Sequence, residues 1–243
     1  MDAKITTATN GQRGTSSIVL EGDKKISQGG VAAKPVSLPK PTFSDPSKNI
    51  RELGFKSTDE VADFGSGSGV YTLALSKMVK KVYAVDVQKD LLTRIENHAE
   101  ESGLDNVEIV WGNIEEARGI GLRDETLDGV LLSNTLFQVG DKIGTIKEAW
   151  RVLKPGGVLA VIDWTDSYGG LGPRASNILT QSEANLICTD NNFAFKGDFD
   201  AGEHHYGILY IKMRRDERIE ETMAEVKEKE EEFISKTVEQ EVI

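Results

Sequence analysis

The run Gly65-Ser66-Gly67-Ser68-Gly69 constrains this chain most, because it lies between a strand-like and a helix-like segment. Before it, Glu60–Phe64 reads as a short strand. After it, Val70, Leu73, Ala74 and Met78 recur at i, i+3, i+4 and i+8, a helical stripe expected to face inward. A glycine-rich turn from strand to helix lets backbone approach a ligand, and the helix start offers unpaired N–H groups. Many nucleotide-binding folds share that arrangement, so spacing has to narrow it. The dinucleotide fingerprint G-x-G-x-x-G/A puts Val70 at its third glycine position when counted from Gly65, and Thr72 when counted from Gly67. Both frames fail, which argues against an NAD-linked dehydrogenase. No Gly-Lys-Ser/Thr follows, so a Walker-type phosphate loop fails too.

The alternation continues downstream. Lys81–Asp86 is a second strand, and a helix over 89–102 turns Leu92, Ile95 and Ala99 inward, with His98 at the border of the stripe and expected to be partly buried. Gly103 follows as a C′ glycine. Val107–Trp111 and Leu127–Ser133 are further strands. A helix over 141–153 would place Ile143, Ile146, Trp150 and Leu153 on one face, end at Pro155-Gly156-Gly157 and lead into a fifth strand over 158–162. Such βαβ order gives an α/β fold, a parallel sheet covered by helices on both faces. A helix over 182–190 precedes two strands, Phe193–Asp200 and His205–Lys212, with no helix between them. That pair is expected as an antiparallel hairpin on the sheet.

The flanks differ from this body. Residues 1–44 are rich in Gly, Ser, Thr and Lys with Phe43 as their single aromatic, too little apolar area to offset ordering; a disordered tail is expected, with a lid that orders on binding as the alternative. In 213–243, Ile219, Met223, Val226 and Phe233 have near-helical spacing, but Glu230 breaks the heptad; a solvated or loosely docked acidic helix, available for a protein contact, is expected. Net charge is +3 over 1–44, −9 over the 45–212 domain and −5 over 213–243. An acidic body disfavours non-specific nucleic-acid binding without excluding a local basic groove. Cys188 stands alone, so neither an internal disulfide nor a multi-thiolate metal site is available in this chain. No run approaches the ~18 apolar residues of a membrane span, and Ile18-Val19-Leu20 is too short for a secretion signal. A soluble cytoplasmic protein is expected.

In a parallel sheet, Asp63, Asp86, Asn113, Ser133 and Asn134 share one edge, the carboxyl ends of the strands, where open α/β folds bind ligands. Asp86 can accept from both hydroxyls of a ribose, and Asn113 offers an acceptor and a donor to an adenine edge. Asp63 and Asn134 taken singly fit loop caps equally well. His98, His204 and His205 show no metal-ligand spacing.

Val61-Ala-Asp-Phe-Gly-Ser-Gly-Ser-Gly69, Val82-Tyr-Ala-Val-Asp86, Gly112-Asn-Ile-Glu115 and Leu153-Lys-Pro-Gly-Gly157 together resemble a class I, seven-stranded S-adenosylmethionine-dependent methyltransferase of the small type-11 branch, related to quinone-biosynthesis C-methyltransferases. The resemblance is strong over 60–163, weaker to 212, and covers neither tail. It implies a Rossmann-like three-layer sandwich with strand order 3-2-1-4-5-7-6, the last strand antiparallel. It implies that Asp63 and the loop residues Gly65, Ser66, Gly67 and Gly69 face the methionine part of the cofactor. Asp86 would hold the ribose with Val87 against adenine, Asn113 and Ile114 would meet the adenine edge, and Ser133 and Asn134 would floor the site near the sulfonium. The family's commonest residue at the position of Asn113 is Asp. The implied reaction is in-line displacement of the sulfonium methyl by a small-molecule acceptor, without a metal. If the acceptor must lose a proton, Asp163 at the end of the fifth strand, or His204 or His205, is the candidate base; a loop cap and a strand-end surface are the preferred readings of these residues. Tyr71 and Gln138 are expected to border the acceptor pocket. An RNA or protein methyltransferase, or a cofactor-binding fold that serves as an interaction protein, is the rival reading.

Overall fold

A computed structural model describes residues 44–214 apart from 169 and 171; the expectations for 1–43 and 215–243 lie outside the described residues. Seven strands form one sheet: β1 (Glu60–Phe64), β2 (Lys81–Asp86), β3 (Val107–Trp111), β4 (Leu127–Ser133), β5 (Leu153–Trp164), β6 (Phe193–Asp200) and β7 (His205–Lys212), in the order β3-β2-β1-β4-β5-β7-β6. The first five run parallel and β7 is antiparallel to both its neighbours, as the sequence predicts. β1 is central, and Val61, Ala62 and Phe64 are wholly buried because helices cover both faces.

The two faces carry separate apolar layers. Val61, Leu131, Ala160 and Ile162 pack beneath α1 (Pro46–Glu52) and α2 (Val70–Leu75), while α3 (Lys89–Glu101) puts Leu92 and Ile95 on Ala84. On the other face Ala62, Phe64, Leu132 and Val161 pack with Ile146 and Ala149 of α4 (Lys142–Val152) and Ala184 of α5 (Gln181–Thr189). Alternate residues of each strand feed alternate layers, the period-2 rule of strands. α3 ends as expected: Leu104 N–H donates to Ala99 O at 2.9 Å and Gly103 N–H to Glu100 O at 3.0 Å, a Schellman closure around Gly103 at φ +67°.

Some expected faces were displaced. Val70 is 55% exposed, and the buried residues of α2 are Tyr71, Thr72 and Leu75. Gly69, left-handed at φ +80°, starts this six-residue helix and sets a phase that leaves Val70 on the rim. Ile143 is 50% exposed and His98 is exposed, both lying outside the arcs that meet the sheet. Pro155-Gly156-Gly157 does not precede the fifth strand but lies within it: Leu127 pairs with Leu153, Gly129 with Val158, and the intervening residues bulge.

Strand register aligns the candidate groups. Phe64 pairs with Val85 and Leu132, so Gly65, Asp86 and Ser133 emerge side by side. Ser133 pairs with Ile162, and Trp164 with His205, which brings Asp163 and His205 to the same edge. The chain order reverses between β1 and β4, and a crevice opens there, at the switch point of the sheet.

Candidate active site

The glycine loop is held from below. Gly65 N–H and Ser66 N–H both donate to Val85 O, at 2.8 and 3.0 Å, which anchors the loop to β2. Gly65, at φ +71°, leaves no room for a side chain: a Cβ there would lie 2.6 Å from Thr135. On Gly67 a Cβ would meet nothing nearer than 3.8 Å, so space opens over the middle of the loop. That space is a cavity of about 360 Å³ walled by Asp63, Gly65, Ser66, Gly67, Ser133 and Asn134, with Tyr71 and Ser44 at its other side. A second cavity of about 240 Å³ adjoins it, walled by Asp86, Val87, Asn113 and Ile114. Gly65, Gly67 and Gln138 line both, so the two are halves of one cleft. Gly69 stands apart from the wall, packed on Ile95.

Asp63 is 2% exposed and accepts from Thr72 Oγ1 at 2.6 Å; burial pushes its carboxyl up to about 6. Asp86 accepts from Gly67 N–H at 2.9 Å through one oxygen and from Gln88 N–H at 2.8 Å through the other. A carboxylate has about four acceptor sites, so two remain for a ligand. Asn113 is committed to its own loop, accepting from Glu115 N–H at 3.0 Å while its amide donates to Glu116 at 3.0 Å. Ser66 Oγ is buried without a partner at the cavity wall.

Asp163 and His205 do not reach this wall. Asp163 is fully buried and accepts from the amides of Phe137 and Trp164, each at 2.9 Å, a cap on the two loops beside it. His205 is 7% exposed; its ring packs on Trp164 at 4.2 Å and bonds Asn134, which does line the cavity. His204 pairs with Asp166 at 2.6 Å and stacks on Tyr168. The strand-end geometry of the base candidates is therefore that of structural groups behind the site.

One feature was unread in the sequence. The two N–H groups of Asn49 on α1 are shared among Tyr71 Oη (2.9 Å), Ser44 Oγ (2.8 Å) and Ala201 O (2.9 Å), and Ser44 meets Tyr71 at 2.5 Å, so a hydroxyl pair stands on the cleft wall. Asp45 followed by Pro46, an N-cap with proline at N1, was the available signal for that helix. Ser44 belongs to this cluster rather than to a tail.

Residues 62–161 match a family described as a methyltransferase domain. An arsenite methyltransferase of Aquipseudomonas alcaligenes is 30% identical over 178 residues, 70% of this chain and 50% of that protein. A demethylmenaquinone methyltransferase of Geobacillus sp. is 30% identical over 117 residues, 47% of this chain and 49% of that protein. Among solved structures, a SAM-dependent methyltransferase from Aquifex aeolicus superposes with TM-score 0.64 at 29% identity, covering 70% of this chain and 91% of that one. The chain carries a class I S-adenosylmethionine-dependent methyltransferase domain. It spans about half the length of the curated relatives it matches.

S-adenosylmethionine is the cofactor of this family, and the cleft's chemistry fits it. Among the described residues, the cleft is lined by Asp63, Asp86 and Glu115 and by neither lysine nor arginine. Such a wall accepts hydrogen bonds and favours positive charge, as a sulfonium and an ammonium require. Those carboxylates would repel a pyrophosphate.

Proposed function

We propose that this domain binds S-adenosylmethionine across the two halves of the cleft and methylates a small organic acceptor. The observation that carries the reading is the wall around the glycine loop, acidic and without Lys or Arg among the described residues. Asp86 would take the ribose hydroxyls on its two remaining acceptor sites, beside Val87, Asn113 and Ile114. Asp63, Gly65, Ser66, Gly67, Ser133 and Asn134 would surround the methionine half. Bound there, the cofactor supplies a methyl on a sulfonium, which an acceptor lone pair displaces in line with a neutral thioether leaving. The protein's part is to hold the two reactants aligned and to present acceptors to the positive charge.

The acceptor class is narrowed by Cys188. Trivalent arsenic is soft and is held by thiolates, but the chain's one cysteine is buried, with its thiol pushed up by burial to about 12, and lies outside the cleft wall. An oxygen, nitrogen or carbon nucleophile fits better than arsenite. The acidic body supports a small molecule over RNA, and a buried free thiol suits a cytoplasmic setting. Among the described residues no helix is long and apolar enough to cross a membrane.

Thermal shift with S-adenosylmethionine, S-adenosylhomocysteine and NAD in parallel tests the cofactor. At about 100 times Kd a ligand adds roughly 2.7 kcal/mol, a rise of roughly 5–11 °C for a protein of this size. Both sulfur compounds should produce it and NAD should not. A shift with NAD alone overturns the reading, and no shift with any favours an interaction protein. Methyl transfer to a quinol but not to arsenite or RNA is the expected outcome once binding is established.

A further inference from the structure

Behind the cavity floor, Asn134 and His205 form a pair whose hydrogens are over-determined. Asn134 closes β4 in the left-handed region at φ +53° and lines the larger half of the cleft. Its carboxamide oxygen is drawn 3.0 Å from His205 Nε2, while His205 Nδ1 lies 3.0 Å from the carbonyl oxygen of Glu203. A backbone carbonyl only accepts, so Nδ1 must carry a proton. In a neutral imidazole Nε2 is then a lone-pair acceptor facing another acceptor, which is repulsive. Two arrangements relieve this without moving a heavy atom. The imidazole can be doubly protonated and donate to both oxygens, or the carboxamide can be turned by half a rotation so that its NH₂ donates to Nε2. Oxygen and nitrogen of an amide occupy the same volume, so packing does not choose between them.

The surroundings choose. His205 is 7% exposed and stacked on Trp164. Burial lowers its affinity for a proton, as does neighbouring His204, while Glu203 O and Asp166 act the other way. Asp166 is already engaged by His204 at 2.6 Å. Asp163 on β5 turns its carboxylate to the amides of Phe137 and Trp164, and Lys142 of α4 donates to the carbonyls of Phe137 and Val139. The neutral ring and the turned amide therefore go together at neutral pH.

We propose that His205 is a positioning residue that sets which end of the Asn134 carboxamide faces the cleft: the oxygen while the imidazole is neutral, the NH₂ once it is protonated. The floor beside Ser133 then presents an acceptor to a cationic ligand at neutral pH and a donor in acid. His205 thereby makes the site selective for positive charge in a pH-dependent way while touching no ligand itself. This inference rests on the reading of the cleft as an S-adenosylmethionine site, but its first test does not.

Nitrogen-15 NMR of the histidine rings in the unliganded full chain at pH 8 should show His205 as the Nδ1–H tautomer. An Nε2–H tautomer, or an imidazolium at that pH, overturns the assignment. The second measurement is calorimetric affinity for S-adenosylmethionine and S-adenosylhomocysteine at pH 8 and pH 5, in the wild type and in His205→Gln, which keeps hydrogen-bonding capacity but does not titrate. Affinity for the sulfonium compound should fall from pH 8 to pH 5 by about fivefold to tenfold more in the wild type than in the variant, the scale of one hydrogen bond. The uncharged thioether should show a smaller difference. Parallel pH profiles in wild type and variant overturn the proposal. If the wild type binds neither compound, the cofactor reading has failed, and the tautomer alone decides the orientation of Asn134.

Discussion

Asp63 and Asp163 occupy equivalent places, near the carboxyl ends of β1 and β5, and burial pushes both carboxyls up to about 6. Their surroundings differ. Asp163 has each oxygen taken by a main-chain amide, and the next residue, Trp164, packs over His205 and seals the strand end. Asp63 is held by Thr72, and the glycine loop that begins two residues later leaves it on the wall of a cavity. A buried acid with a displaced pKa is thus open to the cleft where the following backbone is bare. Where the following side chain closes over it, it is a cap. The shared pKa direction reports burial and does not distinguish the two roles.

The largest effect expected from this contrast is on stability. Asp163→Ala leaves the amides of Phe137 and Trp164 without their acceptor in a closed interior, a cost of about 2–6 kcal/mol at roughly 1–3 kcal/mol per buried unsatisfied group. Tm by calorimetry should fall by roughly 4–24 °C at about 2–4 °C per kcal/mol. S-adenosylmethionine affinity of the remaining folded protein should stay within about threefold. A variant that keeps its Tm but loses binding would place Asp163 in the site and dissolve the contrast.

Asp86 supplies the next largest effect and sharpens the same comparison, because its oxygens are also bonded to amides yet retain acceptor capacity toward the cleft. Asp86→Ala should weaken S-adenosylmethionine binding by about 1.5–3 kcal/mol, the value of hydrogen bonds to a charged group. Unchanged affinity by titration calorimetry would remove Asp86 from the ribose-binding position.

These distinctions explain which parts of the molecule were legible in the chain. β6 and β7 and the first four strands could be bounded to the residue, since apolar runs ended by Gly, Asp or Asn are local signals. The strand-end acids were legible for the same reason. The helix faces were read less well: α2 has six residues, and its phase is set by Gly69 rather than by its own pattern, so Val70 was turned inward. The role of Asp163 depends on Phe137, 26 residues away, and that of His205 on Asn134, 71 residues away. Neither partner has a spacing that composition or periodicity could reveal. Likewise Ser44, Asn49 and Tyr71 meet only once α1 packs on α2.

The smallest expected effect is the most specific to Asp63, because ligand and fold pull its proton in opposite directions. In the free protein burial holds its pKa at about 6, above the 3.8 ordinary for an aspartate. The folded state therefore holds more protons than the unfolded chain between about pH 4 and pH 6. Stability falls as pH rises through that window, with no contribution below it and the full penalty above it. A cationic ligand beside the carboxylate favours the ionised form and lowers the pKa again. S-adenosylmethionine binding near pH 6 should then release a fraction of a proton, seen as a buffer-dependent calorimetric enthalpy. Affinity should rise between pH 5 and pH 7 by about 0.5–1 kcal/mol through this group, on the scale of 1.36 kcal/mol per pKa unit. Asp63→Asn should abolish that proton release and flatten the stability slope, whereas Asp163→Asn should leave the proton release intact. Loss of the release in the Asp163 variant, and not in the Asp63 variant, would exchange the roles assigned to the two acids.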